Sequence, residues 1–281
     1  MIAIFLEPDF IKLATLAVVQ GLTEFLPVSS SGHLVLFQAV LGFDSASASP
    51  IATDVALHLG TLMAVLAVYR LSILGVLRDV LRGSWREALQ IVVASVPAAV
   101  VGLTLSSGGE EAFHDPQMAG IGLLLTALIL LLGETARRRQ ARLGTTPEKS
   151  GSSVGGEPEP PLAWKHAVLI GLAQGLAVWP GISRSGSTIA MGLWCGLPAA
   201  RAARFSFLLS IPAIGGASIL LLPDAFEAGV SGGSGSLLGA MVIAALVGWF
   251  ALRLLLSFLG KGAFGWFAIY CAVLGGTAQF L

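Results

Sequence analysis

Two stretches of this chain place polar and ionisable side chains inside otherwise apolar sequence. The first reads Gln20-Gly21-Leu22-Thr23-Glu24 and continues through Pro27 to Ser29-Ser30-Ser31-Gly32-His33. The second reads Gln174-Gly175-Leu176 and continues through Pro180 to Ser183-Arg184-Ser185-Gly186-Ser187-Thr188. Gln20 and Glu24 are four residues apart and project from one helical face. Two such oxygen donors suit a hard divalent cation, Mg²⁺ or Ca²⁺, with further oxygens from water or phosphate. Arg184 carries a guanidinium, a bidentate phosphate clamp. Glycines and hydroxyls leading into a helix N-terminus make an anion nest. Ser29, Ser31 and Gly32 form one such entry, and Ser183, Ser185, Gly186, Ser187 and Thr188 form another. His33 can serve as general base, general acid or phosphoryl acceptor, and Ser30 lies three residues before it. The Gly-Lys-Ser/Thr ending of a Walker loop is absent. Small residues alone also permit close helix packing, but that leaves Glu24, His33 and Arg184 unexplained. The chemistry expected is the binding of an anion such as phosphate, with Ser30 close enough to His33 to be activated by it.

The elements that must position these residues are membrane helices. The 281 residues are 55% hydrophobic and 11% charged, with 16 basic and 16 acidic side chains and mean hydropathy +0.85. Soluble domains carry about 25% charge. The even balance excludes a nucleic-acid binder, and the apolar content excludes a disordered chain. Five runs have about the length of a span: Val55–Leu77, Leu89–Leu105, Met118–Gly133, Phe205–Leu222 and Leu237–Phe258, with Phe264–Leu281 as a sixth. Phe10–Leu41 and Ala167–Leu197 are each interrupted by one of the polar stretches. Such breaks are tolerated at membrane depth only when protein covers them, so each region is expected to enter and leave on one side.

A single offset of 154 maps Gln20, Gly21, Leu22, Ser29, Ser31 and Gly32 onto identical residues at Gln174, Gly175, Leu176, Ser183, Ser185 and Gly186. Each half is a broken hairpin followed by three spans, so the second half starts from the opposite face. The fold class expected is therefore an all-α polytopic membrane protein, six transmembrane helices plus two re-entrant hairpins in an inverted-topology repeat. The chain forms one membrane domain, with halves 1–136 and 162–281 joined by a flexible linker at 137–161 that is rich in Arg, Gly, Ser and Pro. No basic n-region precedes the first apolar run, so a signal peptide is not expected.

Arg70, Arg78, Arg82 and Arg86, the basic linker and Lys261 fall on one side; Glu110, Glu111, Asp115, Asp224 and Glu227 fall on the other. The positive-inside rule puts the basic side in the cytoplasm and both termini outside. Cys195 and Cys271 have neither metal nor disulfide spacing and read as packing residues. Asp54 and His58, four apart at the start of a span, read as helix-pairing residues, with support of the site as the alternative. His114 and His166 receive no role.

The two polar stretches resemble the two signatures of the bacterial undecaprenyl-diphosphate phosphatases, the bacitracin-resistance family. The first signature matches Gln20–His33 and the second Pro180–Thr188, and the similarity extends over essentially the whole chain, including Asp54–Leu66 and Ala203–Ala213. The resemblance implies removal of one phosphate from a C55 polyprenyl diphosphate lipid at the outer face of the cytoplasmic membrane, which regenerates the carrier for peptidoglycan synthesis. It also implies dependence on a divalent cation. Where the family often carries Glu, this chain has the neutral Gln20, a weaker ligand. The rival reading is a transporter or flippase for a polyprenyl phosphate or other anion, since broken helices and inverted repeats serve both. Apart from the lipid substrate and the bilayer, a homodimer is the one partner left open.

Overall fold

The computed structural model describes residues 8–41, 50–105, 115–144, 162–227, 234–258 and 264–281. The described residues are mostly helical and contain no strand. In chain order the helices are α1 (Pro8–Thr23), α2 (Ser30–Leu41), α3 (Pro50–Val68), α4 (Arg70–Leu81), α5 (Arg86–Leu105), α6 (Pro116–Arg142), α7 (Trp164–Leu176), α8 (Arg184–Trp194), α9 (Ala199–Glu227), α10 (Ser234–Phe258) and α11 (Phe264–Thr277), with a 3₁₀ turn at Ala278–Phe280.

Five helices are long and apolar enough to cross a bilayer: α3, α5, α6, α9 and α10. This is a multi-pass arrangement. The sixth expected span, Phe264–Leu281, is a shorter apolar helix ending in the 3₁₀ turn at Phe280. The expected run Val55–Leu77 also divides. α3 stops at Val68, Tyr69 leaves helical geometry at φ −96°, ψ 14°, and α4 follows with no buried residue. The cause is Tyr69 itself, whose buried ring packs on Phe207 with centroids 5.6 Å apart. The linker expected from residue 137 begins later, because α6 continues to Arg142. Glu134 sustains that last turn by accepting from Arg137 and Arg138 at 2.7–2.9 Å. The rest of the linker (145–161), the acids at 110–111, His114 and Lys261 lie outside the described residues.

Packing repeats between the two halves of the chain. α1 lies on α10 and α7 lies on α5, α3 contacts α9, and α6 contacts α11. Glycines set the two hairpin contacts. A Cβ at Gly21 would overlap Val247 of α10, and one at Gly175 would press on Pro97 of α5. The core between them holds Phe25 edge-on to Phe207 at 5.8 Å, with Leu123, Leu130, Ile189 and Leu193 buried beneath the second hairpin.

Candidate active site

α1–α2 and α7–α8 are the two broken helices, and their breaks meet. Ser29 carries a positive φ of 70°, a conformation that non-glycine residues rarely adopt. The turn it makes is closed by Gly32 N donating to Ser29 Oγ at 3.3 Å, with Ser29 and Ser31 hydroxyls 3.2 Å apart. The second break repeats both bonds 154 residues on. Gly186 N donates to Ser183 Oγ at 3.0 Å, and the Ser183 and Ser185 hydroxyls are 3.3 Å apart. In each case a serine caps the N-terminus of the following helix.

Each break also bonds to the other. Gly181 N donates to Ser31 Oγ at 3.3 Å, and Ser185 Oγ donates to the Leu26 carbonyl at 3.3 Å. α6 braces the second break through Thr126, which accepts from Ser183 N and donates to the Gly181 carbonyl, both at 2.9 Å. Gly181, at φ 82°, rests against α6 where a Cβ on Gly122 would collide with the Pro180 carbonyl. Cys271 of α11 lies against the Pro27 and Val28 carbonyls, a packing position, as expected.

This joint sets Glu24 opposite Arg184. Glu24 is buried in the turn after α1. Its Oε1 accepts from Arg184 Nη2 at 2.6 Å, and its Oε2 accepts from Ser30 Oγ at 2.6 Å. Gln20 Nε2 also donates to Oε2, at 3.1 Å. Arg184 is seated from behind by the Ser206 carbonyl at 3.4 Å, and Thr188 bonds to the Ser206 hydroxyl at 2.6 Å. A carboxylate therefore joins a hydroxyl to a guanidinium, with both contacts at charge-assisted lengths. Chemically, the carboxylate can take the serine proton while the guanidinium, which has five donors, retains some for an incoming anion.

The remaining expected residues divide into two groups. Ser29, Ser31, Gly32, Ser183, Ser185 and Gly186 build the two turns and their joint. Ser187 makes no bond to the Glu24 cluster; it is buried, its hydroxyl has no partner, and it lines a groove with Lys165 and His166. His33 also departs from the expectation. Its Nδ1 sits 2.7 Å from the Ser29 carbonyl, which can only accept, so Nδ1 holds the proton. Nε2 then accepts from the Tyr270 hydroxyl at 2.7 Å, under a stacked ring 5.6 Å away. With both nitrogens engaged, the group at the Ser30 hydroxyl is Glu24 and not His33.

His58, expected as a helix-pairing residue with support of the site as the alternative, reaches the cluster. Its Nδ1 is 2.8 Å from the Asp54 carbonyl, and its Nε2 faces Glu24 Oε2 at 3.9 Å. Sequence reasoning missed Tyr270, Ser206 and Thr126. Tyr270 had a faint signal as one of two tyrosines in the chain, whereas Ser206 and Thr126 were unremarkable within apolar runs.

As for a cation, the described residues hold no group of three His, Cys, Asp or Glu side chains. Gln20 Oε1 is buried and without a partner, four residues from the Glu24 carboxylate. With the Gln20 amide turned over, its Oε1 would face the Glu24 carboxylate, and the two could hold a cation that takes its other ligands from water or substrate.

The family model described as bacitracin resistance protein BacA matches residues 13–277, a span that holds both breaks and every residue of this cluster. The chain belongs to the BacA family. Relatives are similar along nearly their whole length. An undecaprenyl-diphosphatase of Desulfosudis oleivorans is 42% identical, covering 98% of this chain and 99% of the relative. One of Desulfatibacillum aliphaticivorans is 38% identical, covering 95% and 97%. One of Methanosphaera stadtmanae is 34% identical, covering 95% and 96%. In this BacA chain, Ser30, Glu24 and Arg184 all fall within the matched span.

Proposed function

We propose that this chain hydrolyses undecaprenyl diphosphate to undecaprenyl phosphate and inorganic phosphate. The observation that carries the reading is the Ser30–Glu24–Arg184 cluster, a nucleophile, base and anion clamp joined by two 2.6 Å contacts. Ser30 Oγ attacks the terminal phosphorus, its proton passes to Glu24, and the bond to the bridging oxygen breaks, releasing the polyprenyl phosphate. Glu24 hands that proton to the departing polyprenyl phosphate; water then attacks the phosphoserine and gives a proton to Glu24, and the Ser30 Oγ–phosphorus bond breaks, Oγ taking the proton from Glu24 as phosphate leaves. Arg184 and the first-turn amides of α2 and α8 neutralise the charge on the equatorial oxygens, where phosphoryl transfer needs it. Gln20 and Glu24 would hold a Mg²⁺ or Ca²⁺, which supplies further charge neutralisation on the diphosphate when bound.

The topology we propose is six spans and two re-entrant hairpins in an inverted repeat. Supporting it, the hairpin arms have 16, 12, 13 and 11 residues. At 1.5 Å per residue these arms reach about 17–24 Å, short of a hydrocarbon core of about 30 Å. The basic ends of α4 and α6 favour a cytoplasmic-membrane orientation with that side inside. The cluster would then open to the exterior, where hydrolysis recycles the peptidoglycan lipid carrier and confers bacitracin resistance. The test is phosphate release from a farnesyl or C55 diphosphate in detergent, with and without chelator. Detergent removes any barrier to transport, so release supports the enzyme, and its absence would refute the proposal in favour of a transporter.

A further inference from the structure

A groove of about 640 Å³ lies beside the second hairpin, and Glu24 is not among the residues that line it. It is lined by α6, α7 and α8. Its apolar walls include Leu169 and Leu176 of α7 and Met191 and Trp194 of α8. The two arms are antiparallel, so one end of the groove holds Lys165 and His166 together with Trp194 and Cys195. That end is strongly basic. Arg201 lies close enough to act electrostatically on His166, and Lys165 acts on both His166 and Cys195. Gln140 Nε2 donates to the Leu193 carbonyl at 2.5 Å, which brings the end of α6, with exposed Arg139 and Arg142, beside the same rim. Among the described residues, no carboxylate lines the groove. Trp164 and Trp194, 42% and 53% exposed, flank the rim. Indoles collect at the headgroup level of membranes, so they place the rim there and the apolar floor among the acyl chains.

We infer that this groove binds an anionic phospholipid, its phosphate between Lys165 and His166 and one acyl chain along α7 and α8. Basic pockets between membrane helices select anionic headgroups by charge, and the apolar walls accept a chain of any head. From Lys165 to Leu176 the groove follows eleven residues of helix, about 17 Å at 1.5 Å per residue, a length an acyl chain fills. The inference rests on the membrane reading and does not require the hydrolytic one. Neither Arg184 nor Glu24 lines the groove, so it would hold a lipid that is not the substrate.

Cys195 provides a native reporter at the rim. The full chain is reconstituted in phosphatidylcholine nanodiscs with or without phosphatidylglycerol, and alkylation of Cys195 by a soluble maleimide is followed by peptide mass. Phosphatidylglycerol is expected to slow alkylation about tenfold. Lys165→Ala with His166→Ala should bring the two lipids level. Leu169→Trp, which fills the groove and leaves the charges, should abolish co-purifying phosphatidylglycerol in native mass spectra. If the double variant does not fold, Lys165→Met, which keeps the aliphatic stem, serves in its place. Equal alkylation in both lipids would overturn the proposal, as would protection by polyprenyl phosphate alone, which would make the groove a product site. Phosphate release measured in the same discs reports separately on hydrolysis, so its loss with lipid selectivity intact would fault only the enzymatic reading.

Discussion

Replacing Glu24 by Gln isolates the role of the carboxylate with almost no change in volume. Its two oxygens each accept one 2.6 Å bond, from Ser30 and from Arg184. An amide has one acceptor and one donor end, so the variant can satisfy one of these partners and turns a donor on the other. It also removes the group that accepts the Ser30 hydroxyl and is placed to take its proton. General-base catalysis contributes about 10²–10⁴ in rate, which is about 2.7–5.4 kcal/mol at 1.36 per tenfold. The cost to folding is smaller. Arg184 is 14% exposed at its side chain and keeps the Ser206 carbonyl, so it is not a fully stranded buried charge. The assay is initial phosphate release from farnesyl diphosphate in detergent, paired with a melting curve. A fall of two to four decades in kcat with a melting temperature near the parent is the expected result. A variant that keeps more than about a tenth of the parent rate, a loss under ~1.4 kcal/mol, would show that Glu24 is not the base. If His33→Ala were then the more damaging change, the assignment would pass to His33.

Arg184→Ala should cost about a hundredfold or more in activity, since it removes the clamp on the transferring group; rates near the parent's would displace Arg184 from the site. Tyr270→Phe deletes one hydrogen bond to His33 and should lower kcat by about tenfold or less, the value of a single bond of about 0.5–1.5 kcal/mol. A loss as deep as that of Ser30→Ala would instead make Tyr270 part of the reaction. Gly122→Ala pushes a methyl into the Pro180–Gly181 turn and should destabilise by about 1–3 kcal/mol, read as a lower melting temperature together with reduced activity. Arg204→Ala breaks the half-exposed pair with Glu87 and should change stability by under about 1 kcal/mol with activity retained.

Much of the site was legible in the sequence because its determinants are local. Gln20 and Glu24 share a helix face by spacing alone, and the offset of 154 anticipated that two serine turns would be built alike. What escaped depends on long-range packing. Whether Ser30 meets His33 or Glu24 is decided by Tyr270, 237 residues from His33, which claims the imidazole. His58 turned toward Glu24 because α3 packs across α1 and α10, and periodicity gives no hint of that. The division of Val55–Leu77 at Tyr69 was hidden for a similar reason, since Phe207 is what buries that ring. Hydropathy sees only apolar residues on both sides.

Glu24 and Arg184 pair across 160 residues of sequence. At synthesis rates of about 5–20 residues per second, roughly 10–30 s separate the appearance of the two side chains. During that interval the first hairpin carries a carboxylate without its cation, at a cost of about 2.5–3.5 kcal/mol if it sits ionised at mid-bilayer. The hairpin therefore has reason to remain shallow or open until the second one arrives. The joint through Ser31, Gly181, Ser185 and Leu26 then becomes a late step of membrane assembly, and the chain gains its reactive centre only when both halves are in place.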